Sequence, residues 1–424
     1  MTEINIITKE THIVHSRLAY VVDFLNTIFD LTFRIKSEKS GASTDSFNII
    51  YSSKEEEQED LFTIYACNKE MSNHPPFTED PSFRLYPSPK EKNFSIQYDI
   101  FKSIFFMLSR WEEYDSEKDH HQRFGHTSSF LFQHHQLQTP IVDYWITDLK
   151  ESLQERFHIS IELKQRQKII STVDVDTMYA YKHGNLFHTC GALIKNIIHR
   201  DFSLIKQKYK VLTGLEEDPF DNFNIIRKLH SDHNIKPLVF IHCGDFNSYD
   251  RPNSFRQDAF KKIVQQLEEF AEIGIHPSYH SLNNRALIQE EIHRLEDIIG
   301  KKVTKSRFHY LRFNLPSSYE DLISCGITED YSMGYSQTNG FRAGTTFAFP
   351  FYNIKNECTR PLVIHPLHIM DTTTLMYENM KNRMKVVSEI KNCNGTLYSL
   401  IHNNYLKEKG EQNNLTDLFY AHED

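Results

Sequence analysis

The stretch Ser171-Thr172-Val173-Asp174-Val175-Asp176 indicates the fold of the larger part of this chain. It follows QKII at residues 167–170, so it predicts a short strand that ends in two carboxylates. Alternation along a strand sends Asp174 and Asp176 to the same side of the sheet. Two like charges that lie close together favour protonation unless a cation sits between them. The pair therefore indicates a site where one carboxylate binds a metal and the other acts as a base, although a strand ending at a polar loop gives the same pattern.

Strand-like and helix-like segments alternate through residues 166–424. This rhythm predicts a mostly parallel sheet, open or closed into a barrel. In either architecture functional residues gather at the C-terminal ends of the strands, where Asp176, His242, His276 and His365 are expected. The other predicted strands are 237–241, 273–275, 304–308, 330–331 and 362–364, and the predicted helices are 221–233, 260–270 and 284–300.

Residues 1–165 mix helices and strands without an internal repeat, which predicts a smaller mixed α/β domain of unknown role. Apolar residues at helical spacing predict helices over 11–30, 99–114 and 141–157, and a strand is predicted over 47–51. A stretch from Pro75 to Pro89 has too many prolines for regular structure. The charged and aromatic motif RWEEY at 110–114 is interpreted as a packed helix end with salt bridges.

The composition excludes several classes of protein. Hydrophobic residues make up 39% of the chain and charged residues 25%, as in an ordinary soluble globular protein. The net charge of −9 argues against nucleic-acid binding through phosphate neutralisation. We find no apolar run long enough to span a bilayer and no secretion signal at the N-terminus. The six scattered cysteines fit reduced thiols, so we expect a cytoplasmic protein without membrane partners; the oligomeric state stays open.

A pair of histidines follows the predicted strand 273–275 directly. His276 and His280 are four residues apart, so in a helical turn they face the same way and can share one cation. Chance pairs are expected among 23 histidines, but the position after a buried strand favours a functional one. Together with Asp176 they form a set of two histidines and one carboxylate. Such a set suits Zn²⁺ or another divalent ion with open positions for water and substrate.

These residues carry a resemblance to a known family. The chain resembles the polysaccharide deacetylases (NodB-homology, carbohydrate esterase family 4) through Asp174-x-Asp176, His276-Pro-Ser-Tyr-His280, Arg307 and a strand ending in His365. More narrowly, it resembles the two-domain polysaccharide deacetylase-like proteins of Bacteroidetes. That narrower resemblance covers most of the chain and rests on the motifs at residues 105–114, 326–335 and 340–345.

The resemblance implies a C-terminal deformed (β/α) barrel of about seven strands that binds a divalent metal ion, most simply Zn²⁺. Carried over to this chain, the metal ligands are Asp176, His276 and His280. The commonest form of the first motif has adjacent aspartates, whereas Val175 separates them here, a spacing that some members share.

The resemblance also implies the catalytic roles. Asp174 would be the general base that takes a proton from metal-bound water, and Arg307 would pair with this base and orient it. His365 would protonate the departing amine, because it directly follows a predicted strand. His368 is the alternative acid, one strand-to-loop step further along the chain.

The third motif departs from the family pattern. It reads RFHYLR at residues 307–312 and lacks the usual prolines, which predicts a differently shaped substrate groove. His309 and Glu329 could also reach this cleft. The candidates for substrate binding are Tyr310, Asp330, Arg342 and His368, with a structural ion pair or buried hydrogen bond as an equal alternative for each.

Three functions are compatible with these residues. The first is a metal-dependent hydrolase that removes an acyl group, most simply N-acetyl, from a carbohydrate. The second keeps the metal but cleaves a C–N bond in another small amide, which a cytoplasmic location favours over a polymeric glycan. The third is a non-catalytic binding protein on the same fold, against which the complete ligand set argues.

Overall fold

The computed structural model describes residues 2–8, 10–11, 13–36, 47–55, 61–80, 82–90, 92–164, 168–183, 202–377 and 380–406. Two β-sheets organise these residues. The smaller sheet is entirely parallel, with the strand order β2-β1-β3-β4. Its strands are β1 (Glu3–Ile7), β2 (Thr32–Lys36), β3 (Phe47–Ser52) and β4 (Phe62–Tyr65).

Among the described residues of this first part, four α-helices are present: α1 (His15–Ile28), α2 (Ile100–Leu108), α3 (Phe130–Gln133) and α4 (Ile141–Phe157). The predicted helices at 11–30 and 141–157 are confirmed, because their apolar stripes pack into the core. The helix predicted over 99–114 is shorter. It ends at Leu108, since Arg110 adopts a left-handed backbone with φ 55°. A 3₁₀ turn, Trp111–Glu113, then continues the chain.

Within the described residues, the larger sheet has nine strands in the order β10-β11-β9-β8-β7-β6-β5-β13-β12, and it is curled into a half-barrel. Every neighbouring pair is parallel except β10 with β11. The strands are β5 (Lys168–Val175), β6 (Leu238–Ile241), β7 (Glu272–Ile275), β8 (Lys305–Ser306), β9 (Glu329–Met333), β10 (Phe349–Asn353), β11 (Cys358–Pro366), β12 (Ile369–Met370) and β13 (Thr396–His402).

The mostly parallel α/β architecture is thus confirmed, but the described strands number nine where about seven were predicted. The antiparallel β10 and the two-residue β12 form the edges, and their sequences carry too short a pattern to be recognised. The helices that accompany the larger sheet are α5 (Phe202–Leu212), α6 (Phe223–Asp232), α7 (Asp258–Glu268), α8 (Arg285–Ile299), α9 (Ser317–Ser324), α10 (Asp371–Met376) and α11 (Met380–Asn392).

The strand register places the functional side chains together. Asp174 of β5 lies opposite Phe240 of β6 on one side and His402 of β13 on the other. Parallel strands end at the same edge of a sheet, so residues that follow β5, β6, β7 and β8 meet there.

One apolar core connects the two sheets, with Ile4 near one end of the chain and Leu406 near the other. The ring of Tyr20 in α1, for example, packs against Tyr352 of β10 at 5.1 Å between centroids. The division at residue 165 stays a prediction. Within the described part of the chain, no helix has both the length and the apolar character needed to cross a bilayer.

Candidate metal centre

His276 follows β7 directly and is buried. Its Nδ1 atom lies 2.5 Å from the carbonyl oxygen of Arg307, which accepts a hydrogen bond and so assigns the ring proton to Nδ1. Burial lowers the pKa of His276, which keeps the imidazole neutral. The Nε2 atom therefore presents a lone pair, 3.2 Å from Oδ1 of Asp176 and 3.7 Å from Oδ2 of Asp174.

The facing atoms of His276 and Asp176 are both acceptors. Among the described residues, His276 Nε2 and Asp176 Oδ1 are buried without a hydrogen-bond partner. An orphaned buried acceptor costs about 1–3 kcal/mol, and two that face each other cost more. A cation between them removes this cost, so the pair fits a metal ion.

His309 completes this group. Its Nε2 atom is 3.6 Å from Oδ1 of Asp176, and its Nδ1 atom is 2.7 Å from Oδ1 of Asp250. One ligand atom each from Asp176, His276 and His309 lies within 4.8 Å of the others. Burial alone would lower the pKa of His309, but the two carboxylates raise it to about 9. Asp176 and Asp250 can therefore be neutralised in either of two ways, by a proton on His309 or by a divalent cation.

Asp250 holds His309 in place. It is fully buried, and it accepts hydrogen bonds from the Tyr279 backbone at 3.1 Å and from Asn247 Nδ2 at 2.6 Å. The Nε2 atom of His242 lies 3.3 Å away. Burial would raise the pKa of Asp250, but its histidine and amide donors lower it. A carboxylate on the remote nitrogen of a metal-binding histidine fixes the tautomer and the ring orientation. His242, Asp250 and His309 also lie within 4.8 Å of one another, but the oxygens of Asp250 are already engaged.

His280, the third ligand expected from the sequence, is not part of this group. It is exposed and lies in the 3₁₀ turn Tyr279–Ser281. The expectation required a helical turn after His276, but Ser278 is extended with ψ 167°. Residues four apart share a face only in a helix, so the two histidines diverge.

Asp174 and Arg307 form the pair expected from the sequence. The Nη1 atom of Arg307 lies 3.1 Å from Oδ1 of Asp174, and both side chains are buried. Arg307 also donates to Thr172 Oγ1 at 2.6 Å and to the carbonyl of Tyr331 at 3.0 Å. These contacts fix the guanidinium, and through it the orientation of the Asp174 carboxylate beside Asp176.

His365 lies elsewhere. Its Nε2 atom is 2.9 Å from Glu329, the first residue of β9, and its ring stacks on Tyr331 at 4.2 Å. Its Nδ1 atom faces the hydroxyl of Tyr398 at 3.2 Å. These partners place His365 toward the N-terminal edge of the sheet, whereas the metal group lies at the C-terminal edge. Although His365 follows three apolar residues, β11 continues past it, so it does not end the strand.

His402 occupies the position that was expected for His365. It ends β13 and lies opposite Asp174 in the register. Its Nδ1 atom is 2.8 Å from Oδ1 of Asp371, and its backbone nitrogen donates to the same carboxylate at 2.7 Å. Burial would lower the pKa of His402, but Asp371, with Asp176 and Asp174 further off, raises it to about 10. The sequence signal was present, because residues 396–401 are a strand-like run followed by a histidine.

The remaining candidates have mainly structural partners. His368 is buried, with Nε2 near the Thr345 carbonyl at 3.2 Å, and burial lowers its pKa to about 3. Asp330 is buried and accepts from Ser306 and Ser332.

Arg342 is buried and binds Glu113 of the first part through Nε at 2.9 Å and Nη2 at 2.6 Å. Tyr310 alone is at the surface, next to His309, with 36% of its area exposed.

A family model described as "Family of unknown function (DUF7033)" matches residues 6–158. No curated protein matches the sequence. Several solved structures are similar to the chain, among them the following three. A protein described as a polysaccharide deacetylase from Mycobacterium smegmatis is 13% identical over 60% of this chain and 83% of its own, with a TM-score of 0.38.

The polysaccharide deacetylase Bc1974 from Bacillus cereus is 9% identical over 61% of this chain and 87% of its own, with a TM-score of 0.28. A mutant of a CE4 family pseudoenzyme, with restored enzymatic activity, is 10% identical over 61% of this chain and 63% of its own, with a TM-score of 0.29. These TM-scores are too low to support an argument about function. Any function of this chain must therefore be inferred from the side chains of the site. The narrower two-domain type stays a prediction.

Proposed function

We propose that this protein is a metal-dependent hydrolase that removes an N-acetyl group from a sugar. The observation that carries the proposal is the pair of orphaned acceptors, His276 Nε2 and Asp176 Oδ1, beside the buried Asp174–Arg307 ion pair. A metal site and a fixed carboxylate base at one sheet edge can together activate water for the hydrolysis of an amide.

Asp176, His276 and His309 would hold the ion. Two imidazoles and one carboxylate suit Zn²⁺ with room for further ligands, and zinc is the metal that we propose. When bound, such an ion lowers the pKa of water and polarises the substrate carbonyl. His309 replaces His280 in the proposed set because its Nε2 atom faces Asp176.

Asp174 would take the proton from the attacking water. Its carboxylate is buried, so no bulk solvent competes for it, and Arg307 holds one of its oxygens at 3.1 Å. The other oxygen, Oδ2, faces His276 and the metal group. Oδ2 would thus be the oxygen that takes the proton from a water held beside the metal group.

His402 would give a proton to the departing amine. With its pKa raised to about 10, its imidazolium form persists at neutral pH. The contact of Asp371 with Nδ1 leaves Nε2 as the proton donor. This arrangement, a base on β5 and an acid at the paired position of the neighbouring strand β13, supports amide cleavage into a carboxylate and an amine.

Aromatic rings at the rim support a sugar as the substrate. Tyr249 is 42% exposed and stacks on Tyr279 with centroids 3.8 Å apart, and the exposed ring of Tyr310 lies close by at 5.4 Å from Tyr279. Flat faces that carry hydroxyl groups suit a pyranose, whose ring has an apolar face and a polar edge.

The test is metal analysis of the purified protein, followed by a screen for acetate release from N-acetylated monosaccharides, oligosaccharides and small non-sugar amides. We expect bound zinc and turnover of an acetylated sugar. Asp174→Asn should abolish acetate release and retain zinc, and unchanged release would contradict the role of Asp174. Turnover of small amides with all sugars inert would instead favour the second hypothesis. A protein with no zinc affinity would refute the metal-dependent mechanism.

A further inference from the structure

A loop from the first part of the chain reaches the candidate metal centre. Residues 118–124 form a tight hairpin, closed by an antiparallel bridge between Lys118 and Phe124. Asp119 braces it from within, accepting from the backbone nitrogens of His121 and Arg123 at 2.9 Å each and from Arg123 Nε at 2.9 Å. Asp119 thereby holds the Arg123 side chain in place from within the hairpin itself.

Arg123 contacts the turn that carries His309. Its Nη1 atom donates to the carbonyl oxygen of Tyr310 at 2.8 Å. Tyr310 and the next residue, Leu311, adopt left-handed backbones, with φ 61° and φ 50°. A left-handed backbone is strained for a residue other than glycine, and this conformation persists only where its surroundings hold it. The Arg123 hydrogen bond is one such support, one residue beyond His309.

The larger part of the chain holds the hairpin in return. Arg312 Nε donates to the carbonyl of His121 at 2.8 Å, and Arg312 Nη1 donates to the carbonyl of Tyr279. The Nδ1 atom of His121 lies 3.0 Å from the hydroxyl of Tyr279. Tyr279 in turn donates its backbone N–H to Asp250, which orients His309. The hairpin is thus connected to His309 in two ways. One runs from Arg123 to Tyr310, and the other from His121 through Tyr279 to Asp250.

We infer that the hairpin 118–124 positions His309 for metal binding, with Arg123 as its main positioning residue. The first part of the chain is then a component of the metal centre. This inference rests on the proposed function, because it takes His309 as a ligand. A merely structural role for the hairpin would affect stability and leave the metal affinity of the folded protein unchanged.

The experiment measures the affinity of the full-length protein for Zn²⁺ by competition with a chromophoric chelator. We expect Arg123→Ala to weaken binding about tenfold, since partners that orient a ligand typically contribute 10–100-fold. Arg123→Lys keeps the charge but has a single ammonium group for the two acceptors, Asp119 and the Tyr310 carbonyl. Its loss of zinc affinity should therefore be smaller than that of Arg123→Ala. Arg84→Ala is the matched control, because Arg84 pairs with Asp148 at 3.2 Å within the first part. It should leave the affinity unchanged.

The outcomes separate the inference from the function. Native affinity in folded Arg123→Ala would overturn the positioning role while leaving the metal centre intact. If that variant does not fold, Arg123→Met, which keeps a long side chain but has no donor, would overturn it equally by showing native affinity. A His309→Ala protein that binds zinc as tightly as the native protein would instead refute the proposed ligand set.

Discussion

The Nε2 atom of His276 lies 3.2 Å from the Oδ1 atom of Asp176, and neither atom has a hydrogen-bond partner among the described residues. The contact of His276 Nδ1 with the Arg307 carbonyl makes this an encounter between two lone pairs. A folded protein keeps such an arrangement where a cation stabilises it.

The ligand set distinguishes His309 from His280. We expect His309→Ala to lower the affinity for Zn²⁺ by more than about 100-fold, because it removes a direct ligand whose orienting partners alone are worth 10–100-fold. His280→Ala should change it little, since that side chain is exposed. Calorimetric zinc titration of the two variants checks this, and the reverse order of effects would restore the set expected from the sequence.

Asp250 should matter for metal binding although it is not a ligand. Asp250→Asn keeps the size of the side chain but removes the charge that fixes His309 Nδ1, and we expect a loss of about 10–100-fold in zinc affinity. Asp245→Asn is the control, because Asp245 is exposed and pairs only at the surface, with Arg294. Equal affinities for the two variants would argue against an orienting role.

The general acid is expected to be His402. His402→Gln should lower the rate of acetate release by about 10²–10⁴-fold while zinc stays bound. Since the imidazolium is the active form and the pKa of His402 is raised to about 10, native activity should decline as the pH rises through that value. The variant should lack this alkaline decline. His365→Gln is the comparison, and a larger effect there would return the role to His365.

Glu113 should contribute to stability across the interface between the two parts. It lies buried between Arg110, at 2.7 Å, and Arg342, at 2.6 Å. Glu113→Gln leaves these guanidinium groups with less compensation, so we expect the free energy of unfolding to fall by about 3–5 kcal/mol. Glu357→Gln breaks a partly exposed pair with Arg17 and should cost about 1 kcal/mol or less. Denaturant titration measures both, and similar losses would contradict the prediction.

Glu113 should also make the free energy of unfolding depend on pH. Burial would raise the pKa of Glu113, but Arg342 and Arg110 lower it from 4.5 to about 2. A carboxylate whose pKa is lower in the folded state stabilises the protein fully above its unfolded pKa. This contribution is therefore lost as the pH falls from about 4.5 toward about 2. The unfolding free energy of Glu113→Gln should decline less steeply than that of the native protein over this interval.

Local patterns account for what the sequence predicted correctly. The helix Ile141–Phe157 and the strand Lys168–Val175 carry periodic apolar residues, and such periods depend only on neighbours along the chain. The pairing of Asp174 with Arg307 was expected from the resemblance rather than from spacing. The strand Thr396–His402 carried a usable signal that was not recognised, so His402 was missed.

The sequence by itself determined the parallel α/β architecture and the strand end at Asp174 and Asp176, because alternation and periodicity are local properties of the chain. Only the tertiary structure decided which histidines join them. His276 and His280 separate because the backbone after β7 is extended, and His309 lies just after the end of β8, directly before a left-handed turn at Tyr310 and Leu311. That turn is held by Arg123, from a hairpin distant in sequence. Contacts between segments so far apart depend on packing, which no spacing of residues encodes.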